Sequence, residues 1–315
     1  MTDDFENNNQ NNSEPEPAGD KKLATAFSPV GAALLGLITV FILYQFGGAI
    51  LTILILGFDF EKADVNALRL LTTAGQILFI LLPALIFAKY VYPDVTSALR
   101  VKLPKLKEIG LFTLGLIILT PLLQSFLYIQ NFIFDILADN VAFFGTTKRV
   151  LDELDKLVES AYGSLLNAHS FFEASFIVFV VAVVPAVCEE TFFRGFVQKS
   201  FEQKYSPFIA IIFTSLFFGL YHFNPYGLIS LVALGAYFGY AAYKSNSIFV
   251  PISLHFINNF LSVMAFFAIG DKELLSSSTG KTENIYLYII SFVVLFAVFS
   301  FFIYHIKRKY DLKGG

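Results

Sequence analysis

The sequence predicts an all-α protein, a polytopic membrane helix bundle of about eight transmembrane helices. Of its 315 residues, 56% are hydrophobic and only 15% are charged, and the mean hydropathy is +0.66. Soluble domains contain about 45–50% apolar and about 25% charged residues. The apolar residues also gather in long runs, and a spanning helix needs about 20 of them. These two observations indicate an integral membrane protein.

Eight runs are candidates for the spanning helices. They are apolar on all sides, whereas the strands of a membrane barrel alternate in polarity over about ten residues. We therefore expect one transmembrane domain over residues 27–306, with kinked helices at its core. The runs lie near residues 28–57, 68–92, 109–134, 171–193, 207–222, 227–243, 247–269 and 284–305.

The two ends of the chain are predicted to be cytoplasmic tails. Residues 1–26 are polar, acidic and rich in Asn, so they cannot bury enough apolar surface to fold and should be disordered. Residues 307–315 form a short basic tail. Lys and Arg are most frequent in the alternate loops that share a side with both termini. The positive-inside rule then predicts a multi-pass protein of the inner (cytoplasmic) membrane with both termini in the cytoplasm.

The expected partners are membrane lipids and a peptide or membrane-protein substrate, and nothing points to nucleic acid. The net charge of −3 is spread between the acidic tail and the basic loops. Segment 92–109 mixes Leu and Val with Arg100 and three lysines, as expected of a loop lying on anionic headgroups. Segment 146–166 has apolar residues at helical spacing, which predicts an external amphipathic helix that could cover a site.

Ionisable side chains are rare inside the runs. Away from the run ends, those that can be charged near neutral pH are Glu189, Glu190, Arg194, His222 and His255. Each costs about 2.5 to 3.5 kcal/mol at the centre of a spanning helix, so a functional site is the first explanation to consider.

The spacing of these residues predicts different roles for the two neighbouring carboxylates. Glu190 and Arg194 are four residues apart, hence on one helical face, which predicts a structural ion pair. Glu189 points about 100° away from Glu190 and is available for chemistry. A turn near Tyr205 would form an antiparallel hairpin that brings Glu189 level with His222.

A second polar pair lies on the seventh run. His255 and Asn259 are four residues apart and share a face, although the neighbouring Asn258 could be the amide that points inward. Isolated core histidines are more often structural than functional, but their combination with Glu189 favours a site.

Three prolines accompany the polar residues. Pro185 and Pro251 each precede a site residue by four positions and are expected to break their helices. A freed carbonyl inside a membrane needs another partner, and a hydrated cavity would supply one. Pro225 is expected to end the fifth run just after His222.

Three motifs together resemble the CPBP family, the CAAX protease and bacteriocin-processing group that is also called the ABI family. The motifs are Glu-Glu-x-x-x-Arg at 189–194, Phe218-x-x-x-His222 and His255-x-x-x-Asn259. This family includes the type II CAAX prenyl endopeptidase, and the resemblance covers roughly residues 170–265. It implies an eight-helix intramembrane bundle and an intramembrane endopeptidase activity.

The residue types predict how such an activity would proceed. A water between Glu189 and His222 would lose a proton to Glu189 and attack the scissile carbonyl. His255 and Asn259 would donate hydrogen bonds to the developing oxyanion. Glu190 and Arg194 would support the structure.

A metal-dependent version is the alternative, with Zn²⁺ held by Glu189, His222 and His255 and a water in the open position. The family is often labelled a metalloprotease. The chain lacks an HExxH arrangement, and Asn259 beside His255 suits an oxyanion donor better than a zinc ligand. We therefore favour a mechanism without an obligatory metal.

Two other classes of protein would also bury such residues. A proton-coupled transporter needs Glu and His beside broken helices, but it commonly has a symmetric second half, which this sequence does not display. A non-catalytic immunity or scaffold protein could keep the same cleft, and a Glu189→Gln substitution would leave its phenotype unchanged.

Overall fold

The predicted all-α architecture is confirmed by a computed structural model, which describes residues 28–57, 64–269 and 284–311. No strand occurs among these residues. The predicted tail at 1–26 lies outside them, and of the predicted tail at 307–315 the described residues 307–311 are helical. The long helices are α1 (Pro29–Leu56), α2 (Val65–Val91), α3 (Leu106–Asn140), α4 (Ala142–Leu166), α5 (Phe171–Phe201), α6 (Pro207–Tyr221), α7 (Leu228–Ser245), α8 (Phe249–Ile269) and α9 (Ile285–Asp311).

The chain is a multi-pass membrane protein. Within its described part, six helices are long and apolar enough to cross a membrane, namely α1, α2, α3, α5, α8 and α9. Helix α6 is apolar but has only 15 residues. At 1.5 Å per residue it extends about 22 Å, less than the roughly 30 Å of a hydrocarbon core. The predicted total of eight spans is therefore not reached by these criteria, although all eight runs contain helix.

The core helices are interrupted by π-helical segments, at which one extra residue widens the turn. They lie at Leu43–Gly47 in α1, Ile77–Leu81 in α2, and Phe179–Val183 and Thr191–Val197 in α5. Such segments often mark functional sites. Pro185 lies two residues after the segment Phe179–Val183, so the expected break in α5 is observed beside it.

The expectation of a second break at Pro251 is wrong. Pro251 is the third residue of α8, which begins at Phe249. The backbone N–H groups of a first helical turn have no acceptor within their helix, so a proline costs little there.

Helix α5 lies at the centre of the bundle. Phe192, Phe193 and Phe196 are fully buried in a core cluster that α5 shares with α1, α2 and α6. A second cluster packs α3, α7, α8 and α9 together, and there the Tyr237 hydroxyl donates to the Phe112 carbonyl at 2.6 Å. The polar residues of α5 are thus enclosed by neighbours on several sides.

The predicted amphipathic helix is observed as α4. Its Asp152 accepts a hydrogen bond from Tyr226, at the tip of the α6–α7 hairpin, at 2.5 Å. Arg69 of α2 is buried and donates from Nε to the Leu165 carbonyl at 3.1 Å. These contacts bind α4 to α2 and to the turn between α6 and α7.

The loop between α2 and α3 corrects one prediction. Arg100, expected among lipid headgroups, is only 3% exposed. Its backbone is left-handed, with φ of 56°, and its guanidinium pairs with Glu202 and donates to the Arg194 carbonyl at 3.2 Å. The loop is therefore bonded to the C-terminal end of α5, while the loop lysines stay exposed.

Candidate active site

A cavity of about 590 Å³ opens inside the bundle and contains all four residues predicted to be catalytic. Helices α1, α2, α5, α6, α7 and α8 form its walls, and Val158, Leu165 and Leu166 of α4 also line it. Its polar lining residues are Tyr44, Gln45, Thr72, Gln76, Glu189, Tyr221, His222, Asn224, His255, Asn258, Asn259 and Ser262.

Local structure at the end of α6 positions His222. The helix ends at Tyr221, as predicted from Pro225, and Phe223 adopts a left-handed backbone with φ of 48°. The Asn224 side chain then accepts from the Gly227 backbone N–H at 2.7 Å, which stabilises the turn into α7. His222 is therefore the C-cap residue directly after α6, and it lines the cavity.

Glu189 and His222 face each other across this cavity. The distance from Glu189 Oε2 to His222 Nε2 is 3.9 Å, which is too long for a direct hydrogen bond. His222 Nδ1 lies 2.7 Å from the Phe218 carbonyl. Because a carbonyl can only accept, Nδ1 carries the hydrogen, and Nε2 of the neutral ring is an acceptor.

One carboxylate oxygen of Glu189 has no hydrogen-bond partner among the described residues. Glu189 is 9% exposed, and its Oε2 forms no hydrogen bond within the described part of the chain. An ionised carboxylate also only accepts. Two acceptors therefore face one another, an arrangement that suits a shared proton donor such as a water molecule.

Glu190 lies on the other side of α5 and does not line the cavity. Its Oε1 accepts from Arg194 Nη1 at 2.8 Å, the pair predicted from the spacing. Arg194 also donates to the Gly235 carbonyl at 3.0 Å and lies 4.3 Å from the ring centre of Phe218. Both charged residues are completely buried.

His255 is bonded to Glu190, a contact that the sequence did not predict. Its Nδ1 lies 2.7 Å from Glu190 Oε1, the oxygen that Arg194 also contacts. Nδ1 is therefore the donor to the carboxylate, and Nε2 is the ring nitrogen left for the cavity. The ring stacks on Phe238 and meets Phe218 edge-on.

Asn259 satisfies the carbonyl that Pro185 leaves without its helical partner. Pro185 has no N–H to donate to Val181, four residues earlier, and Asn259 Nδ2 donates to that carbonyl at 3.0 Å. The expected hydrated cavity is thus replaced by a side chain at this carbonyl. Asn258 Nδ2 in turn donates to Asn259 Oδ1 at 3.2 Å, so both amides line the cavity.

Sequence reasoning missed Gln76 of α2. Its Nε2 donates to Glu189 Oε1 at 3.0 Å and to the Tyr44 hydroxyl at 3.1 Å. A search restricted to ionisable side chains passes over a neutral amide. The available signal was a single glutamine in the middle of an otherwise apolar stretch of α2.

The residues considered for Zn²⁺ do not form a ligand set. No group of three His, Cys, Asp or Glu residues able to hold a metal ion is found among residues 28–57, 64–269 and 284–311. His255 presents one ring nitrogen to Glu190, and Glu189 is bonded to Gln76. The donor arrangement does not fit the metal alternative, and we derive no step through a metal.

The part of the chain that contains the predicted site residues matches a known protein family. Residues 171–261 match the family model described as type II CAAX prenyl endopeptidase Rce1-like. Over these residues, here called the CAAX-protease segment, the chain is similar to that family. The resemblance predicted from the three motifs is thereby confirmed, and the CAAX-protease segment includes every one of the predicted site residues.

The CAAX-protease segment covers less than a third of the 315 residues, so α1 to α4 and α9 lie outside the match. Comparisons with curated proteins and with solved structures found no match. The family match supports an intramembrane CAAX-type protease in general.

Proposed function

We propose that the protein is an intramembrane endopeptidase in which Glu189 and His222 activate a water molecule. One observation carries the proposal. The unpartnered Oε2 of Glu189 faces an acceptor nitrogen of His222 across 3.9 Å, inside a cavity that also contains His255 and Asn259.

The first step is attack by water. A water beside both acceptors donates one hydrogen to Glu189 Oε2 and the other to His222 Nε2, which aims an oxygen lone pair into the cavity. As the oxygen bonds to the scissile carbonyl carbon, its proton passes to Glu189. The immediate product is a tetrahedral oxyanion, and Glu189 is then a neutral acid.

The oxyanion is bound by groups of α8. Asn259 has a second Nδ2 hydrogen besides the one on Val181, and His255 donates from Nε2 when its ring carries both protons. Donors aligned before the reaction often contribute more than base catalysis itself. Glu189 finally returns its proton to the leaving nitrogen, the C–N bond breaks as the oxyanion re-forms a carbonyl, and a carboxylic acid and an amine are released, the acid losing its proton to water.

Glu190 and Arg194 act as structural support in this proposal. Through its bond to His255, Glu190 also orients the imidazole that faces the oxyanion. We further propose the topology predicted from the loop charges, a protein of the inner (cytoplasmic) membrane with both termini in the cytoplasm, and a peptide or membrane-protein substrate.

The test is peptide cleavage by the purified full-length protein in lipid nanodiscs. A peptide library is incubated with the wild type, Glu189→Gln and His222→Ala, with and without a chelator. Removal of a general base costs about 10²- to 10⁴-fold in rate. We expect both variants to lose product to this extent while eluting as the wild type does in size-exclusion chromatography.

The exposed Glu153 of α4 provides the matched control, because Glu153→Gln removes the same charge away from the cavity. Its cleavage rate should equal that of the wild type. Product formation that survives both Glu189→Gln and His222→Ala would overturn the mechanism. Loss of activity in the chelator, restored by Zn²⁺, would favour the metal alternative instead.

A further inference from the structure

Gln76 is the one side chain from outside the CAAX-protease segment that bonds directly to Glu189 within the described residues. It is 3% exposed, lies beside the π-helical segment Ile77–Leu81 of α2, and lines the cavity. A buried amide in a membrane helix is costly unless its hydrogen-bonding groups are used. The partners of each Gln76 atom therefore indicate its role.

The orientation of the Gln76 amide follows from its neighbour. Glu189 Oε1 is an acceptor when the carboxylate is ionised, so the amide nitrogen, not the oxygen, has to face it. The same nitrogen donates to the Tyr44 hydroxyl. Both Nε2 hydrogens are therefore in use, and rotation of the amide by 180° would place two acceptors against each other.

This orientation leaves the amide oxygen as the unused group. Gln76 Oε1 is buried and has no hydrogen-bond partner within the described part of the chain. An unsatisfied buried acceptor is destabilising, and a ligand that donates to it would recover that cost. Gln76 thus adds a second unpartnered acceptor, besides Glu189 Oε2, to the residues that line the cavity.

A peptide in the cavity is a source of donors. Its carbonyl oxygen is expected near His255 and Asn259, and its backbone N–H groups require acceptors when they leave water. We propose that Gln76 is a substrate-binding and positioning residue. Its oxygen accepts a backbone N–H next to the scissile bond, while its nitrogen holds Glu189 Oε1 and keeps Oε2 directed toward His222.

This inference rests on the proposed endopeptidase function, and its experiment separates the two. Gln76→Met keeps the volume of the side chain and removes both hydrogen-bonding groups. Gln130→Met is the matched control, because Gln130 is also a glutamine of a spanning helix, bonded through Nε2 to the Tyr226 carbonyl at 2.9 Å, and it lies outside the cavity lining.

We expect Gln76→Met to lower kcat because Glu189 is no longer held, and to raise KM because a substrate contact is lost. Displacement of a reacting group by about 1 Å can cost about 100-fold in rate. Gln130→Met should leave both constants within about 2-fold of the wild type, since it touches neither the substrate nor Glu189.

Ester-substituted substrates test the contact itself. In a set of otherwise identical peptides, each backbone N–H flanking the scissile bond is replaced in turn by an ester oxygen. At one position the wild type should lose about 3- to 10-fold in kcat/KM, as expected for one hydrogen bond. The Gln76→Met variant should have the same kcat/KM for the peptide with the ester at that position as for the all-amide peptide. Misfolding or loosened packing would not produce this result.

Several results would overturn the inference. Equal losses by the wild type and Gln76→Met at every ester position would show that Gln76 does not contact a substrate N–H. Kinetics of Gln76→Met equal to those of Gln130→Met would exclude the positioning role as well. If Gln76→Met does not fold, Gln76→Asn, which withdraws the amide from Glu189, replaces it in the same measurements. Absence of cleavage by the wild type would instead overturn the proposed function, and the inference with it.

Discussion

Glu189 and Glu190 are neighbours in the sequence but lie in opposite surroundings. Glu190 shares one oxygen between a guanidinium and an imidazole and is sealed inside the bundle. Glu189 has one neutral partner, Gln76, and directs its other oxygen toward the cavity. The two carboxylates differ by one position on a helix that turns about 100° per residue.

The comparison shows how a membrane protein can separate stability from chemistry. A buried charge with an opposite charge at 2.8 Å is retained because removing either partner leaves the other uncompensated. A carboxylate with an unused oxygen beside a cavity can exchange protons without disturbing the packing. The following predictions test this contrast, in order of decreasing effect.

Breaking the buried pair should have the largest effect on stability. Arg194→Met leaves Glu190 charged and completely buried, and breaking such a pair typically costs about 3 to 5 kcal/mol. Unfolding in nanodiscs, followed by thermal melting, measures the loss. The exposed Arg149 provides the control, because Arg149→Met should change stability by less than about 0.5 kcal/mol. A melting temperature equal to that of the wild type would contradict the structural role of Arg194.

Removing Asn259 should have an intermediate effect. Asn259→Ala leaves the partly buried Val181 carbonyl without this donor, at a cost of about 1 to 3 kcal/mol. In a Pro185→Ala background residue 185 can donate to that carbonyl, so the same substitution should cost less. A double-mutant cycle on unfolding free energies measures the difference. Strictly additive effects would show that Asn259 does not compensate for Pro185.

The contact between α4 and the hairpin tip should contribute less. Tyr226→Phe removes the hydrogen bond to Asp152, worth about 0.5 to 1.5 kcal/mol. Burial and this hydrogen bond raise the pKa of the Tyr226 phenol. The contribution is therefore complete below the unfolded pKa of about 10 and is lost as the pH rises through the higher folded value. Melting of Tyr226→Phe and the wild type from pH 6 to pH 9 should show a constant gap.

The smallest effect on stability is expected for Glu189→Gln, the substitution that should abolish cleavage. The variant keeps the shape of the side chain and an acceptor for Gln76, and it leaves no charge unpaired, so its unfolding free energy should stay within about 1 kcal/mol of the wild type. Glu190→Gln, its matched neighbour, should be clearly less stable. Equal losses in the two variants would remove the contrast between the carboxylates.

Much of the site was predictable because it depends on local periodicity. Residues four apart share a helical face, which is why Glu190 meets Arg194. In an antiparallel hairpin, the position of the turn determines which residues of the two helices lie at the same height, which is why Glu189 faces His222. Both contacts follow from helix geometry and one turn.

Contacts between distant helices were not predictable in the same way. The His255 bond to Glu190 depends on how α8 is rotated against α5, and nothing in either segment specifies that rotation. The burial of Arg100 depends on a left-handed turn that folds one of four basic residues inward. Composition cannot distinguish that residue from its exposed neighbours.

By itself, the sequence determined a helical membrane protein, the approximate extent of its spans, and the set of polar residues that the lipid interior makes costly. Hydrophobicity and the 3.6-residue period suffice for these conclusions, because both are properties of a single helix and do not depend on its neighbours. Only the tertiary structure decided which polar groups pair and which stay available. That choice depends on the rotation and depth of helices packed from different parts of the chain, as Gln76 beside Glu189 shows.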